Sequence, residues 1–188
     1  MDPAVPVLLR HTGDAMAGMF RHAPGFEARI WRHAWMVFSG EPEALGNWLT
    51  IVEPGPGGEE ALRAFVATLR ERGHAGLVYF PRSAAGRYDA LAADLGLDVP
   101  GPVPLMVWRA SAPDAGGLET GEIVAIADEP GWHEAASVIA AAFGMSQEAA
   151  MRLMPAGVLT EPALRIYGAR RDGRIISVAV ASELGPIL

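Results

Sequence analysis

The order of predicted elements in the last seventy residues constrains the fold more than any other feature of this chain. Runs rich in β-branched residues and runs with helical spacing follow one another as strand, helix, helix, strand, strand. Asp128 and Ser146 are typical first residues of helices, and Pro155 is a typical stop. The predicted elements are a strand in Glu119–Ala127, helices from Asp128 to Phe143 and from Ser146 to Pro155, and strands Leu164–Arg170 and Ile175–Glu183, the last two forming a hairpin.

The first part of the chain has a different order: helix, strand, strand, glycine-rich loop, helix, strand, helix, strand. An Ala-, Pro- and Gly-rich stretch, Ala110–Gly117, separates it from the second part and is typical of a linker. We therefore predict an N-terminal region of residues 1–110, a linker at 111–118 and a C-terminal region of residues 119–188. The N-terminal elements are a helix in Asp2–His22 (continuous, or broken near Gly13), strands Trp31–Ser39 and Asn47–Val52, the turn Pro54–Gly58, helix Glu59–Arg72, strand Gly76–Phe80, helix Ala84–Leu95 and strand Val103–Arg109.

Together these orders resemble the GNAT (GCN5-related) N-acetyltransferase family. The second part is similar to the opening half of that fold, and the first part is similar to its closing half. The resemblance implies an α/β (α+β) fold with a GNAT-like mixed sheet of about seven strands flanked by helices. Two arrangements stay open: two partial GNAT units in tandem, or two halves that dock and build one permuted unit. In this family the opening half continues into a Gln/Arg-x-x-Gly-x-Gly/Ala loop that holds acetyl-CoA, and the C-terminal region would stop before it.

The resemblance also implies a function. The first expectation is an acyl-CoA-dependent N-acetyltransferase-like protein, with acetyl-CoA as co-substrate and an amine of a small molecule or peptide as acceptor. The alternative is a non-catalytic GNAT-like module that binds a small ligand or a partner chain. Many members use a glutamate near the central strands as general base, which makes Glu183 the candidate catalytic residue. Its other possible role is a solvated position at the end of a strand.

Three glycines occupy the place where the family would hold the pyrophosphate of acetyl-CoA. Gly55, Gly57 and Gly58 follow a predicted strand and precede a predicted helix, so backbone N–H groups at the helix start would face a phosphate. The alternative is an ordinary turn, because Glu59 and Glu60 already place negative charge in the first turn of the helix. Arg70-Glu-Arg-Gly73-His-Ala75 matches the loop pattern in its letters, but a helix enters it and a strand leaves it. We interpret Gly73 as a helix C-cap.

Candidate substrate residues follow from the same resemblance. Phe143 and Met145 occupy the junction between two helices that lines the acceptor site in this family, and Trp48 opens a strand beside the glycine turn. Burial in a hydrophobic core is the alternative for all three side chains.

Composition excludes several kinds of chemistry. The chain has no cysteine, and its fifteen basic residues are all arginine, so thiol nucleophiles, thiolate metal sites and Schiff-base lysines are ruled out. A net charge of −7 without a basic block argues against nucleic acid and anionic membranes as partners. Three histidines recur every eleven residues (His11, His22, His33), but Pro24-Gly25 breaks any helix that would align them, so we predict no metal site.

Two expectations concern location and assembly. The N-terminus lacks the pattern of a secretory signal, so we expect a cytoplasmic protein. The predicted last strand, Ile175–Glu183, is apolar and lacks the neighbour that the family fold provides. Because an unpaired apolar strand edge favours pairing with another chain, we expect a homodimer formed through the C-terminal hairpin.

Overall fold

Five α-helices and seven strands form in the computed structural model, which describes residues 4–99, 101 and 122–182. The helices are α1 (Ala4–Phe20), α2 (Pro56–Arg72), α3 (Ala85–Asp94), α4 (Glu129–Phe143) and α5 (Gln147–Leu153). The strands are β1 (Glu27–Ile30), β2 (Ala34–Phe38), β3 (Asn47–Ile51), β4 (Leu77–Tyr79), β5 (Glu122–Ala125), β6 (Leu164–Arg171) and β7 (Arg174–Ser182). The α+β class predicted from the sequence is confirmed. The linker 111–118 and the predicted strand Val103–Arg109 lie outside the described residues.

The seven strands divide into two sheets, where one mixed sheet was predicted. The first has the order β1-β2-β3-β4 and is antiparallel except for the β3–β4 pair, which is parallel and connected through α2. The second, β5-β6-β7, is antiparallel throughout. Helix α1 contacts both sheets, since it packs against β2 of the first and β6 of the second.

Local sequence signals explain the shape of the second sheet. Asp172 and Gly173 both have positive φ, 51° and 77°, which is the geometry of a two-residue hairpin turn between β6 and β7. The register of the two strands shifts once, between Ala169 and Arg170, so a bulge interrupts the ladder. On the turn side of this bulge, in β7, Ile175 faces the core, whereas Ile176 is half exposed. The alternation of inward and outward side chains therefore breaks at this end of β7.

The two halves of the chain lie directly against each other. One hydrophobic core combines N-terminal residues such as Phe20 and Trp35 with C-terminal residues such as Trp132 and Ile166. A second core lies on the other face of the first sheet, where α2 and α3 cover β2 and β3. The sheet of the N-terminal half is thus buried on both faces.

Polar contacts reinforce this packing. Glu161, with only 10% of its side chain exposed, accepts from Arg21 at 3.2 Å and pairs with His22 at 2.9 Å. Farther along the junction, Arg152 of α5 donates to Glu41 at 2.9 Å. Both contacts join the N-terminal half to the C-terminal half.

Helix α1 continues through Gly13 without a break, and its packing explains the glycine. A Cβ at Gly13 would lie 2.6–2.7 Å from three atoms of the Trp35 indole. The indole is itself fixed, since its Nε1 donates to the carbonyl of Leu9 at 2.9 Å. Glycine therefore lets the helix approach β2 closely. No helix in the described part of the chain is long and apolar enough to cross a membrane.

Candidate functional site

The three sequence-predicted substrate residues converge on one groove. This groove, which we call the Trp48 groove, has a volume of about 500 Å³. It lies where the first sheet meets the turn between α4 and α5. Strands β3 and β4 supply one wall, and the α4–α5 turn supplies the other. The lining residues are Glu43, Ala44, Leu45, Trp48, Leu77, Tyr79, Phe143, Gly144 and Met145.

Strand pairing creates the aromatic wall of this groove. Trp48 of β3 lies opposite Leu77 of the parallel strand β4, and alternation along β4 places Tyr79 on the same face. The Trp48 and Tyr79 rings stack, with centroids 5.1 Å apart and planes 23° apart. Trp48 Nε1 donates to the carbonyl of Leu45, which orients the indole. Burial raises the pKa of the Tyr79 hydroxyl, so this side chain stays neutral at physiological pH.

The facing wall is built by the ends of two helices. Gly144 has φ 67° and ends α4, donating its N–H to the carbonyl of Ala140. Ser146 then caps α5 by accepting from the N–H of Ala149 at 3.1 Å. This short turn fixes Phe143 and Met145 at the rim, with Phe143 59% exposed. An aromatic side chain so exposed is available for a ligand.

The floor of the groove is a loop held by Asn47. The Asn47 amide nitrogen donates to the carbonyls of Glu41, Glu43 and Ala75 at 2.9–3.0 Å, and Asn47 is completely buried. These bonds fix the backbone of the loop, including the 3₁₀ turn Ala44–Gly46. They do not involve the Glu43 carboxylate. Its Oε2 atom is shielded from solvent and has no hydrogen-bond partner within the described ranges.

The candidate phosphate-binding glycines lie outside this groove, and other protein groups contact them. Helix α2 begins at Pro56, so the predicted start at Glu59 is wrong; proline is favoured at the first helical position. Gly55 precedes the helix, and the Tyr88 hydroxyl lies 3.3 Å from both its nitrogen and its oxygen. A Cβ at Gly57 would come within 2.9–3.0 Å of the His33 ring.

Further contacts limit this glycine loop. A Cβ at Gly58 would meet the Tyr88 hydroxyl and, at 2.9 Å, Ile51. Glu59 pairs with Arg87, and this hydrogen bond raises the pKa of the Arg87 guanidinium. Close packing thus explains Gly57 and Gly58 without a ligand, whereas a Cβ at Gly55 would have no atom within 4 Å. Moreover, Leu49 and Ile51 of β3 pack toward α2, whereas Trp48 belongs to the opposite face. The predicted cofactor and substrate residues are therefore not brought together.

The remaining candidates have clear places in the structure, with one exception. Gly73 is the left-handed C-cap of α2, as predicted, with φ 67°. His22 pairs with Glu161, and His33 stacks on Trp31, so these two histidines make separate local contacts. The described residues contain no group of three His, Asp or Glu side chains placed to hold a metal ion. The candidate base Glu183 lies outside the described residues.

A larger groove of about 750 Å³ runs between α4 and β7. Its polar lining residues are Glu134, Ser137 and Arg174. Glu134 already accepts from the N–H of Ile175 at 2.7 Å, and Ser137 donates to the carbonyl of His133 at 3.2 Å. The rest of its lining is mainly alanine, valine and isoleucine. Because ligand sites combine apolar walls with convergent polar groups, the Trp48 groove is the better candidate.

Sequence reasoning missed two important members of that groove, Tyr79 and Glu43. The sequence did contain a signal for Tyr79, because this tyrosine stands among apolar residues in the predicted strand Gly76–Phe80. Glu43 had none, since it stands in a Pro- and Glu-containing loop that resembles any solvated turn.

Comparison with known proteins adds no relative. The chain matches no protein-family model, no curated protein and no solved structure at a significant level. The resemblance to the GNAT family therefore depends on the order of elements and stays a proposal.

Proposed function

We propose that this chain is a non-catalytic, GNAT-like module that binds a small ligand in the Trp48 groove. The observation that carries the proposal is the convergence of Trp48 with Phe143 and Met145 on one groove between the two halves. Trp48 lies about one hundred residues before the other two in the sequence. Side chains fixed on two different walls are well suited to enclose a ligand.

The size and lining of the groove support this function. A volume of about 500 Å³ falls within the range of roughly 300–1,000 Å³ that small-molecule sites occupy. Its lining is mostly apolar and aromatic, with one carboxylate and one phenol as polar groups. Such a composition favours a compact organic ligand with an apolar body.

An acyl-CoA-dependent N-acetyltransferase acting on a small-molecule amine or peptide is the second candidate. One observation favours it: β3, the glycine loop, α2 and β4 form a parallel crossover unit, with a helix N-terminus after a strand. The residues fit acetyl-CoA poorly, however. Pro56 lacks an N–H, Tyr88 occupies the Gly55 backbone groups, and Glu59 adds negative charge in the first turn. We therefore derive no catalytic step.

Calorimetric titration with acetyl-CoA separates the two functions. Micromolar affinity would support the transferase, and no heat at millimolar ligand would support the module. The module is tested directly by NMR with a library of small apolar fragments. The signal of the Trp48 indole N–H, assigned through a Trp48→Phe variant, should shift, whereas that of the buried Trp132 should not. A library that never moves the Trp48 signal would refute the module.

We also propose that the protein works in the cytoplasm. The absence of cysteine is the support, because a chain without thiols gains nothing from an oxidising compartment. Subcellular fractionation of the full chain tests this location.

A further inference from the structure

We propose that the Trp48 groove selects an organic cation, and that Glu43 determines this selectivity by pairing with the N–H groups of the ligand. The inference rests on the proposed ligand-binding function and specifies its ligand class: a compact ammonium compound with an apolar or aromatic body. It follows from a carboxylate without a structural role beside a pair of stacked aromatic rings.

The Glu43 carboxylate is not needed to hold its loop. The backbone carbonyl of Glu43 accepts from Asn47 at 3.0 Å and from the N–H of Gly46 at 3.1 Å, and these bonds fix the turn. Meanwhile Oε2 is shielded from solvent without a hydrogen-bond partner among the described residues. Leaving a charged oxygen in that state costs free energy, which a donor from a ligand would recover. Rotation about the last side-chain bond of glutamate is broad, so the carboxylate can turn an oxygen toward the groove.

Arg152, the basic side chain that feels the charge of Glu43, makes its hydrogen bonds elsewhere. Arg152 donates to Glu41 and to Glu148, each at 2.9 Å. Its pKa is raised mainly by the hydrogen bond with Glu41, with Glu43 contributing a weaker attraction. Glu43 therefore accepts no hydrogen bond from Arg152, and its Oε2 atom stays without a donor among the described residues. A bound cation is the natural complement to this charge.

The aromatic wall favours the same ligand class. The stacked Trp48 and Tyr79 rings line the groove, and an indole face is the strongest side-chain partner for a cation. Phe143 and Met145 supply contact for an apolar body. A carboxylate partner also keeps an amine protonated, and a protonated amine cannot attack a thioester. The groove is thus suited to binding a cation, which agrees with the absence of transfer chemistry in the proposed module.

A matched pair of probes tests the selectivity. Phenethylamine is a cation at neutral pH, and phenethyl alcohol is its neutral counterpart of similar shape. We expect the wild-type chain to bind the cation at least about tenfold more tightly, because hydrogen bonds to charged groups are the stronger kind. Calorimetry gives the affinities, and shifts of the Trp48 indole signal show where the probes bind.

Two variants assign the effect to Glu43. Glu43→Gln should weaken the binding of phenethylamine by about tenfold and leave the affinity for phenethyl alcohol unchanged. Glu60→Gln is the control, because Glu60 is exposed on α2, which covers the other face of the sheet. Denaturation curves of both variants establish that they fold.

The outcomes separate this inference from the function on which it rests. Equal binding of both probes at Trp48, or an unchanged cation affinity in the Glu43→Gln variant, would overturn the cation selectivity and keep the ligand-binding function. If neither probe nor any fragment moved the Trp48 signal, the proposed function would fail as well.

Discussion

Replacing Gly13 by alanine tests how closely α1 packs on the first sheet. In the interior of an exposed helix, this substitution stabilises a protein by about 1 kcal/mol. Here the new Cβ would lie 2.6 Å from Cγ and 2.7 Å from two further atoms of the Trp35 indole. Carbon atoms in contact prefer about 3.5–4.0 Å, so one of the two groups must move by close to an ångström.

Neither group moves easily. Trp35 is fully buried, and its indole donates to the Leu9 carbonyl of the same helix at 2.9 Å. Overpacking a well-filled core costs about 1–3 kcal/mol, and three short contacts with a rigid ring place this case at or above the upper end. After the gain in helix propensity is subtracted, we expect Gly13→Ala to destabilise the chain by about 2 kcal/mol.

Urea denaturation followed by circular dichroism measures this change. Gly86→Ala is the matched control, because Gly86 is a helical glycine in α3 with no atom near its absent Cβ. It should stabilise the chain by up to about 1 kcal/mol. If Gly13→Ala stabilised the protein as much as Gly86→Ala does, the packing of α1 on Trp35 would be wrong.

Three further predictions follow from other contacts. Glu161→Gln should cost about 1–3 kcal/mol in urea denaturation, because Arg21 and His22 lose a buried charged partner; the control Glu148→Gln, at an 83% exposed position, should change stability by less than about 0.5 kcal/mol. Tyr79 should ionise above its ordinary pKa of 10.0, and an absorbance titration should lose its last step in Tyr79→Phe. Because folding raises this pKa, the free energy of unfolding that depends on the neutral Tyr79 hydroxyl is fully present below pH 10 and decreases as the pH rises toward the folded-state pKa. A titration step at the ordinary pKa would contradict the burial of Tyr79. Finally, β7 pairs only with β6 among the described strands, so light scattering should report a homodimer, and a clean monomer at tens of micromolar would exclude it.

Much of the local structure could be predicted from sequence because its signals are local. Asp128 and Ser146 cap α4 and α5 through side-chain hydrogen bonds of 2.9 and 3.1 Å, and both were predicted helix starts. Strand β1 was missed, because Glu27–Ile30 is mostly exposed and lacks an apolar alternation. Its strand conformation depends on pairing with β2, and the sequence of β1 alone does not predict this pairing. The division into two sheets was missed for a similar reason, since it depends on which strands pair and not on the sequence of any single strand.

The candidate site shows the same limit more sharply. Trp48 and Phe143 were chosen from the family resemblance, and only the docking of the two halves brings them to one groove.

The glycines show why a motif is ambiguous. A missing Cβ opens space equally well for a phosphate or for a neighbouring side chain, and a sequence cannot say which one fills it. At Gly57 and Gly58 the neighbours are His33 and Tyr88, which come from other parts of the chain. At the groove the reverse holds, because Glu43 has a buried carboxylate oxygen that accepts no hydrogen bond from any described residue. Function is therefore better sought where a polar group lacks a partner than where a pattern of glycines is complete.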